Sequence, residues 1–377
     1  MEGLVVMSFW RNKRVLITGH TGFKGSWLSL WLQQSGADVC GYSLEAPTTP
    51  SLFVDARVRE GMRSVIADIR DLEILRSVFA DFRPEVAIHM AAQPLVRASY
   101  DDPLNTYAVN VMGTVTFLEA VRSCDAVRSV VVITTDKCYE NKEWHWGYRE
   151  SDALGGYDPY SNSKACAELL VSSYRNSFFD PEKYDRHKVG IATVRAGNVI
   201  GGGDWAVGRL LPDILHALGD GRKAVIRNPA AIRPWQHVME PLRGYLTIAQ
   251  RLYEQGVEYG QAWNFGPTFS DTRPVEWIVS RLTQMWGETA QWELDDKAEQ
   301  PHEARVLRLD CSKAAIELGW QPRLSLDVAL EITVDWYKAR LSGKDMRAFT
   351  IEQIEWYEGI RKSATVTSIG HDNDPIR

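Results

Sequence analysis

Apolar positions in the first two hundred residues follow two alternating rhythms. Short, consecutively apolar runs rich in β-branched residues predict strands at Arg14–Thr18, Asp38–Tyr42, Ser64–Ala67, Val86–Met90, Ser129–Thr134 and Val189–Val194. Between them, apolar residues recur at helical spacing over Ser26–Gln34, Leu72–Phe82, Asn105–Ser123 and Ser161–Ser177. Strands apolar on both faces and alternating with helices imply a parallel sheet buried between helix layers. The expected fold class is therefore α/β, a Rossmann-type doubly wound parallel sheet over residues 1–196, with a returning segment near 236–264. After Val194 the rhythm changes. Gly197 to Arg233 is rich in Gly, Pro and Arg, and beyond it short helices mix with isolated strands such as Ala262–Phe265. This predicts a smaller mixed α/β substrate domain over 197–345, closing on the carboxyl edge of the sheet. A C-terminal helix and a disordered tail are expected over 346–377, where the pattern fades from Ser363 onward.

Composition narrows the function classes. The 377 residues are 45% hydrophobic and 24% charged, with a net charge of −6, so no basic field invites nucleic acid. Apolar runs such as Val130–Ile133 fall far short of the roughly 20 residues that cross a bilayer, and Met1–Met7 is too short for a signal peptide. The five cysteines, at 40, 124, 138, 166 and 311, have no paired spacing and no histidine partners, so reduced thiols in a cytoplasm are expected and a metal site is not.

Gly19-His-Thr-Gly22-Phe-Lys-Gly25 lies between the first strand and its helix. Glycines there let the backbone bend and approach a pyrophosphate, which then sits on the helix N-terminus. The expected ligand is a dinucleotide held by Gly19, Thr21, Gly22, Phe23, Lys24 and Gly25, with Asp68 and Ile69 after the third strand toward the adenine, and Ala91, Ala92 and Gln93 closing the fourth. The second strand runs into Tyr42-Ser43-Leu44, with Glu45 late for a ribose acid and no arginine nearby. That pattern favours NAD; an NADP reading would lean on Lys24 or a distant arginine to meet the 2′-phosphate.

Tyr160 and Lys164 stand at i and i+4, on one face of the helix after the fifth strand. An ammonium and an oxidised nicotinamide together stabilise tyrosinate, so Tyr160 is suited to take a proton from a sugar hydroxyl. Tyr184 and Lys188 share the spacing but lie in a charged, Pro-containing connection. The fifth strand ends in Thr134-Thr135-Asp136-Lys137, at the carboxyl edge where open α/β sheets bind ligands.

The glycine turn, Tyr160 with Lys164, Ala91-Ala92-Gln93 and Asn110-Val-Met-Gly113-Thr114 resemble the extended short-chain dehydrogenase/reductase family acting on nucleotide sugars, over nearly the whole chain. Thr135-Asp136-Lys137, with Gly197–Trp205 and Arg233–Val238, is similar to the CDP-glucose 4,6-dehydratases within it. The resemblance implies an NAD-using lyase. Tyr160, activated by Lys164, would deprotonate the glucose 4-hydroxyl as C4 gives hydride to NAD, with Thr135 on the keto oxygen. Asp136 would protonate the departing 6-hydroxyl, and a base would take the C5 proton. Lys137 holds the position of that base, a role that requires its neutral form. Asn198, Arg209, Arg233 and Arg305 would contact sugar and diphosphate. A homodimer built on the 105–123 and 161–177 helices is also implied. A 4-epimerase or a non-catalytic dinucleotide sensor are the alternatives, since fold does not guarantee chemistry.

Overall fold

The computed structural model describes residues 9–288, 290–295 and 306–360. Its centre is a seven-stranded parallel sheet: β1 (Arg14–Thr18), β2 (Asp38–Ser43), β3 (Arg63–Ile66), β4 (Val86–His89), β5 (Ser129–Ile133), β6 (Gly190–Ala196) and, late in the chain, β10 (Ala262–Phe265). The order is β10-β6-β5-β4-β1-β2-β3. In register, Val15 of β1 lies beside Val39 and Val86, and Val131 of β5 beside Ile88 and Ala192. The chain reverses its direction of travel between β1 and β4, which opens a crevice at their carboxyl ends.

The two-residue repeat of a strand sorts side chains to opposite faces, and two cores result. Val15, Ile17, Val131 and Ile133 join Trp27, Leu28 and Leu242 on one face. Leu16, Val130 and Val132 join Phe79, Phe117 and Val171 on the other. Every residue of β5 and β6 is buried, which is why these segments read as continuously apolar. Burying each such side chain contributes roughly 1.5–3 kcal/mol.

α1 (Phe23–Gln34) is buried from Gly25 through Leu32. Its Trp27 reaches across to the second half of the chain and donates to the Gly202 carbonyl at 2.9 Å. α2 (Leu72–Phe82) and α4 (Gly113–Arg122) cover the other face. α5 (Pro159–Ser177) begins on Asp158, whose carboxylate accepts from the Ser161 N–H at 2.9 Å, with Pro159 in its first turn.

The segment read as one helix over Asn105–Ser123 is α3 (Pro103–Tyr107), a π-helical turn over Ala108–Met112, and α4. Asn110 sits in that turn, buried, and binds the Gln93 backbone N–H at 2.8 Å, the Gln93 carbonyl at 3.0 Å and Ser163 at 2.9 Å. A side chain inserted between a strand end and a neighbouring helix accounts for the wider turn.

Ala262–Phe265, expected as an isolated strand, is the sheet's edge strand β10, paired with β6 from Ala262↔Thr193 to Phe265↔Ala196. α7 (Met239–Gln255) brings the chain back to it and packs on β5 and β6. The other elements form a cap: β7 (Asn198–Ile200), β9 (Ile232–His237) and β11 (Thr272–Pro274) make one small sheet, and β8 (Ala224–Ile226) pairs with β12 (Trp292–Leu294). α6 (Leu210–Gly219), α8 (Val275–Trp286) and α9 (Leu326–Leu341) pack around them, and α10 (Met346–Gly359) lies against α1 and α9. The tail from residue 361, like Arg305, lies outside the described residues. No described helix is long and apolar enough to cross a membrane.

Candidate active site

A cavity of about 1320 Å³ runs along the carboxyl ends of β1, β4, β5 and β6 beneath the cap. That exceeds the volume typical of one small-ligand site, and leaves room for two ligands end to end.

Its first part is the glycine turn. Gly19 takes φ +78°, and a Cβ there would lie 2.8 Å from the Ala91 nitrogen; at Gly25 a Cβ would meet the Gly19 carbonyl oxygen at 2.1 Å. Only glycine fits either place. A Cβ at Gly22 would come no closer than 3.4 Å to that oxygen, and Gly22, at the N-terminus of α1, has no side-chain cap. The first N–H groups of α1 are thus left for an anion. Thr21 donates to the Leu44 carbonyl at 2.9 Å and contacts Ser43 at 2.9 Å, fixing the exit of β2. Thr21, Phe23, Lys24, Asp68, Ile69, Ala91 and Ala92 all line the cavity. Asp68 accepts from Arg70 at 2.6 and 3.0 Å. Gln93 does not line the cavity; its amide is engaged by the Leu95 carbonyl and Thr106, and Asn110 clamps its backbone.

The second part lies where β5 ends. Thr135 caps a short 3₁₀ turn over Asp136–Cys138, and its hydroxyl donates to Asp136 at 3.1 Å. The other Asp136 oxygen is buried with no partner. Burial raises the Asp136 carboxyl above its usual range, against the pull of Lys137, Thr135 and Arg233. Tyr160, in the first turn of α5, is pushed up to about 12 by burial, opposed by Thr135 and by the charge of Arg209. Lys164 donates to the Ile133 carbonyl at 3.0 Å and is lowered to about 8 by burial, with Glu168 drawing it back up. Thr135, Asp136, Lys137, Tyr160 and Lys164 therefore share one cavity wall, as their order on β5 and α5 leads one to expect.

The cap supplies the facing wall. Asn198 on β7 and Arg233 on β9 line the cavity, and Arg209, just before α6, forms an ion pair with Asp204 at 2.9 Å. Arg209 stands near Tyr160 and Lys24 as well.

Several residues of this region were not singled out from sequence. Glu168 and Arg195 form a buried ion pair at 2.8 Å behind Lys164, completed by Thr134, Thr193 and Tyr139. Glu168 continues the Tyr160, Lys164 face at i+4, which was a usable signal. Tyr245, on α7, approaches Lys24 at 3.4 Å; no local pattern links the two.

These features match known proteins. The family described as GDP-mannose 4,6 dehydratase matches residues 16–333. A CDP-glucose 4,6-dehydratase of Salmonella typhimurium is 56% identical over 354 residues, covering 94% of this chain and 98% of the relative. A dTDP-glucose 4,6-dehydratase of Streptomyces griseus is 28% identical over 331 residues, covering 86% and 93%. Among solved structures, a dTDP-glucose 4,6-dehydratase of Streptomyces venezuelae with NAD bound superposes with TM-score 0.74 at 24% identity over 88% of this chain and 98% of that one. A UDP-glucose 4-epimerase of Stenotrophomonas maltophila does so with 0.76 at 22%, over 88% and 100%. Those two likenesses establish the fold, which dehydratases and epimerases share, whereas the match over 16–333 and the 56% identity carry the family: the chain belongs to the GDP-mannose 4,6 dehydratase family.

Proposed function

We propose that the protein converts CDP-D-glucose to CDP-4-keto-6-deoxy-D-glucose and water, an NAD-dependent hydro-lyase reaction. The observation that carries this is the meeting of Thr135, Asp136 and Lys137 with Tyr160 and Lys164 in one cavity. The 56% identical relative supports the choice of CDP-glucose.

The residues present fit NAD. A glycine turn with its helix N-terminus uncapped offers N–H groups to a diphosphate, and Asp68 with Ile69 lines the cavity toward the adenine. NAD, when bound, supplies a hydride acceptor at C4 that is regenerated when the hydride is returned at C6. The chain's own residues move the protons. Tyr160 takes the 4-hydroxyl proton, for which its phenol must ionise; Lys164 and the N-terminal turn of α5 both favour the tyrosinate. Thr135 holds the 4-oxygen. Asp136, whose carboxyl is raised above its usual range by burial, is assigned the proton donated to the departing 6-hydroxyl so that it leaves as water. Lys137, in its neutral form, is assigned the C5 proton, which it gives back to C5 once the hydride has been returned at C6. Asn198, Arg209 and Arg233 hold the sugar diphosphate, Arg233 by a two-pronged grip.

We also infer a cytoplasmic homodimer. Leu104, Met112 and Leu169, on α3, the π-helical turn and α5, are 82%, 56% and 60% exposed. Large apolar side chains grouped on neighbouring helices suit burial against a second copy.

The test is mass spectrometry of the purified protein incubated with NAD and, in parallel, CDP-glucose, dTDP-glucose, UDP-glucose or GDP-mannose. Loss of one water from CDP-glucose alone is expected, and Tyr160→Phe should lower that turnover by about 10²–10⁴-fold. Epimerised product of unchanged mass would instead make the protein a 4-epimerase.

A further inference from the structure

One turnover of the proposed reaction leaves two protons of the protein misplaced. Tyr160 gains the proton of the 4-hydroxyl, and Asp136 loses one to the 6-hydroxyl as the C6–O bond breaks and water departs. The C5 proton goes to Lys137 and comes back, and the hydride removed at C4 returns at C6, so neither changes the protein. A second turnover therefore needs one proton carried from Tyr160 to Asp136. Solvent is a poor carrier, because Asp136 is 1% exposed. The side chain of Thr135 stands between the two. Its hydroxyl donates to Asp136 Oδ1 at 3.1 Å and accepts from the Lys137 backbone N–H at 3.3 Å. A hydroxyl has one hydrogen and two lone pairs, so one lone pair is left, and Thr135 also shares a hydrogen bond with the Tyr160 oxygen. Phenol, hydroxyl and carboxylate thus form a chain in which each can donate to the next.

We propose that Thr135 relays the proton of Tyr160 to Asp136, so that the base of the oxidation and the acid of the elimination draw on one shared proton. The proposal rests on the dehydratase reading above. The Tyr160 O–H bond breaks as its proton passes to Thr135 Oγ, and the Thr135 O–H bond breaks as its own passes to Asp136 Oδ1. A phenol and a carboxylate become a tyrosinate and a carboxylic acid, with total charge unchanged. The hydrogen left on Thr135 then lies on the Tyr160 side, where the 4-oxygen binds. Asp136 Oδ2 has no partner, so no hydrogen bond on that oxygen keeps the carboxyl from turning to offer its proton to the 6-hydroxyl.

A consequence separates this from an acid that serves the elimination alone: oxidation at C4 also depends on Asp136. At rest the proton belongs to Tyr160, pushed up to about 12 by burial. Burial likewise raises the Asp136 carboxyl, which makes it a better acceptor, and positive charge beside the phenol favours the tyrosinate. The transfer exchanges no proton with solvent, so its equilibrium does not vary with pH while the pair holds one proton. Without an acceptor, Tyr160 must release its proton to solvent, and the ionised fraction then grows with pH. The other charged or titratable groups facing the pair are Asp158 and Lys164 at the head of α5, Lys137 and Cys138 after β5, Asp204 and Arg209 before α6, Arg233 on β9, Lys24 on α1 and Tyr245 on α7. All persist in variants at 135 and 136, so the ratio of variant to wild type isolates the pair.

The experiment is a single-turnover oxidation of CDP-6-deoxy-D-glucose, which has a 4-hydroxyl but no 6-hydroxyl to lose, by the full-length protein loaded with NAD. NADH absorbance gives the rate, and an indicator dye in weak buffer gives the protons released, from pH 6 to 9, for the wild type, Asp136→Asn, Thr135→Val and Thr135→Ser. Wild type and Thr135→Ser should form NADH before any proton reaches the solution. Asp136→Asn and Thr135→Val should release about one proton with each NADH, and their rates relative to wild type should rise about tenfold per pH unit. Loss of the Thr135 contact to the 4-oxygen slows Thr135→Val at every pH and does not create that slope. An Asp136→Asn variant that parallels wild type in both rate profile and proton release overturns the relay, as does a Thr135→Ser variant that behaves like Thr135→Val. Oxidation of the analogue by a wild-type protein that removes no water from CDP-glucose would instead overturn the dehydratase reading itself.

Discussion

Two groups of charged side chains flank the end of β5, and they are bonded in opposite ways. Glu168 accepts from Thr134, Thr193 and twice from Arg195, and Arg195 also donates to Tyr139, so every oxygen of the carboxylate is occupied. Across Lys164, Asp136 keeps one oxygen without a partner and Lys24 has one long contact. The bonding separates their jobs. A closed set of charge-assisted hydrogen bonds fixes geometry, whereas buried groups left partly bonded keep capacity for a ligand or a proton. The first group ties β5, β6 and α5 together; the second faces the cavity.

The largest test of this contrast removes the closed group's acid. Glu168→Ala leaves Arg195 buried without a counter-charge, and a loss of about 3–5 kcal/mol is expected in urea unfolding. A loss under 1 kcal/mol would mean water reaches the pair and that it does not hold the strands.

The open group should answer differently. Asp136→Asn is expected to cut turnover by about 10²–10⁴-fold without lowering the melting temperature. The carboxyl is raised above its usual value of 3.8 by burial, so between that value and the raised one the folded chain holds a proton that the unfolded chain has released. Wild-type stability therefore falls as pH rises through this window, and the amide, which cannot ionise, escapes the fall. A variant clearly less stable than wild type at neutral pH would place Asp136 with the closed group.

The same contrast bears on what was legible in the chain. Strands β1, β2 and β4 to β6 were readable because they are buried on both faces, which writes itself as consecutive apolar residues. Thr135 and Asp136 were readable because they directly follow a strand end, and Tyr160 with Lys164 because they stand at i and i+4 in the first turns of α5. β10 was readable as a strand, and a return of the chain near 236–264 was expected, but its partner was not, because Ala262–Phe265 pairs with β6 across some sixty-five intervening residues. The π-helical turn was hidden for a related reason: Asn110 distorts its helix to reach Gln93 and Ser163, two partners remote in sequence. The direction of Lys24 depends on Tyr245, more than two hundred residues away. Local periodicity records burial and turn chemistry; it does not record which distant side chain completes a charge.

The smallest effect is expected at Asp68, where charge is paired but exposed. Asp68 accepts from the Arg70 guanidinium at 2.6 and 3.0 Å and from its backbone N–H at 2.9 Å, yet the Arg70 side chain is 44% exposed. Water screens such a pair, and Arg70→Ala should cost about 0.2–1 kcal/mol at neutral pH. Hydrogen bonding from Arg70 holds the Asp68 carboxyl below its usual 3.8, so the folded chain binds its proton less readily than the unfolded one. The stabilisation is therefore fully present above about pH 4 and is lost as pH falls through the lowered value. Urea unfolding of wild type and Arg70→Ala at pH 7 and again near pH 3 should show the two curves converging in acid. A difference of 3 kcal/mol at pH 7 would class this pair with Glu168 and Arg195, and exposure would no longer separate the charges that hold the fold from those that border the site.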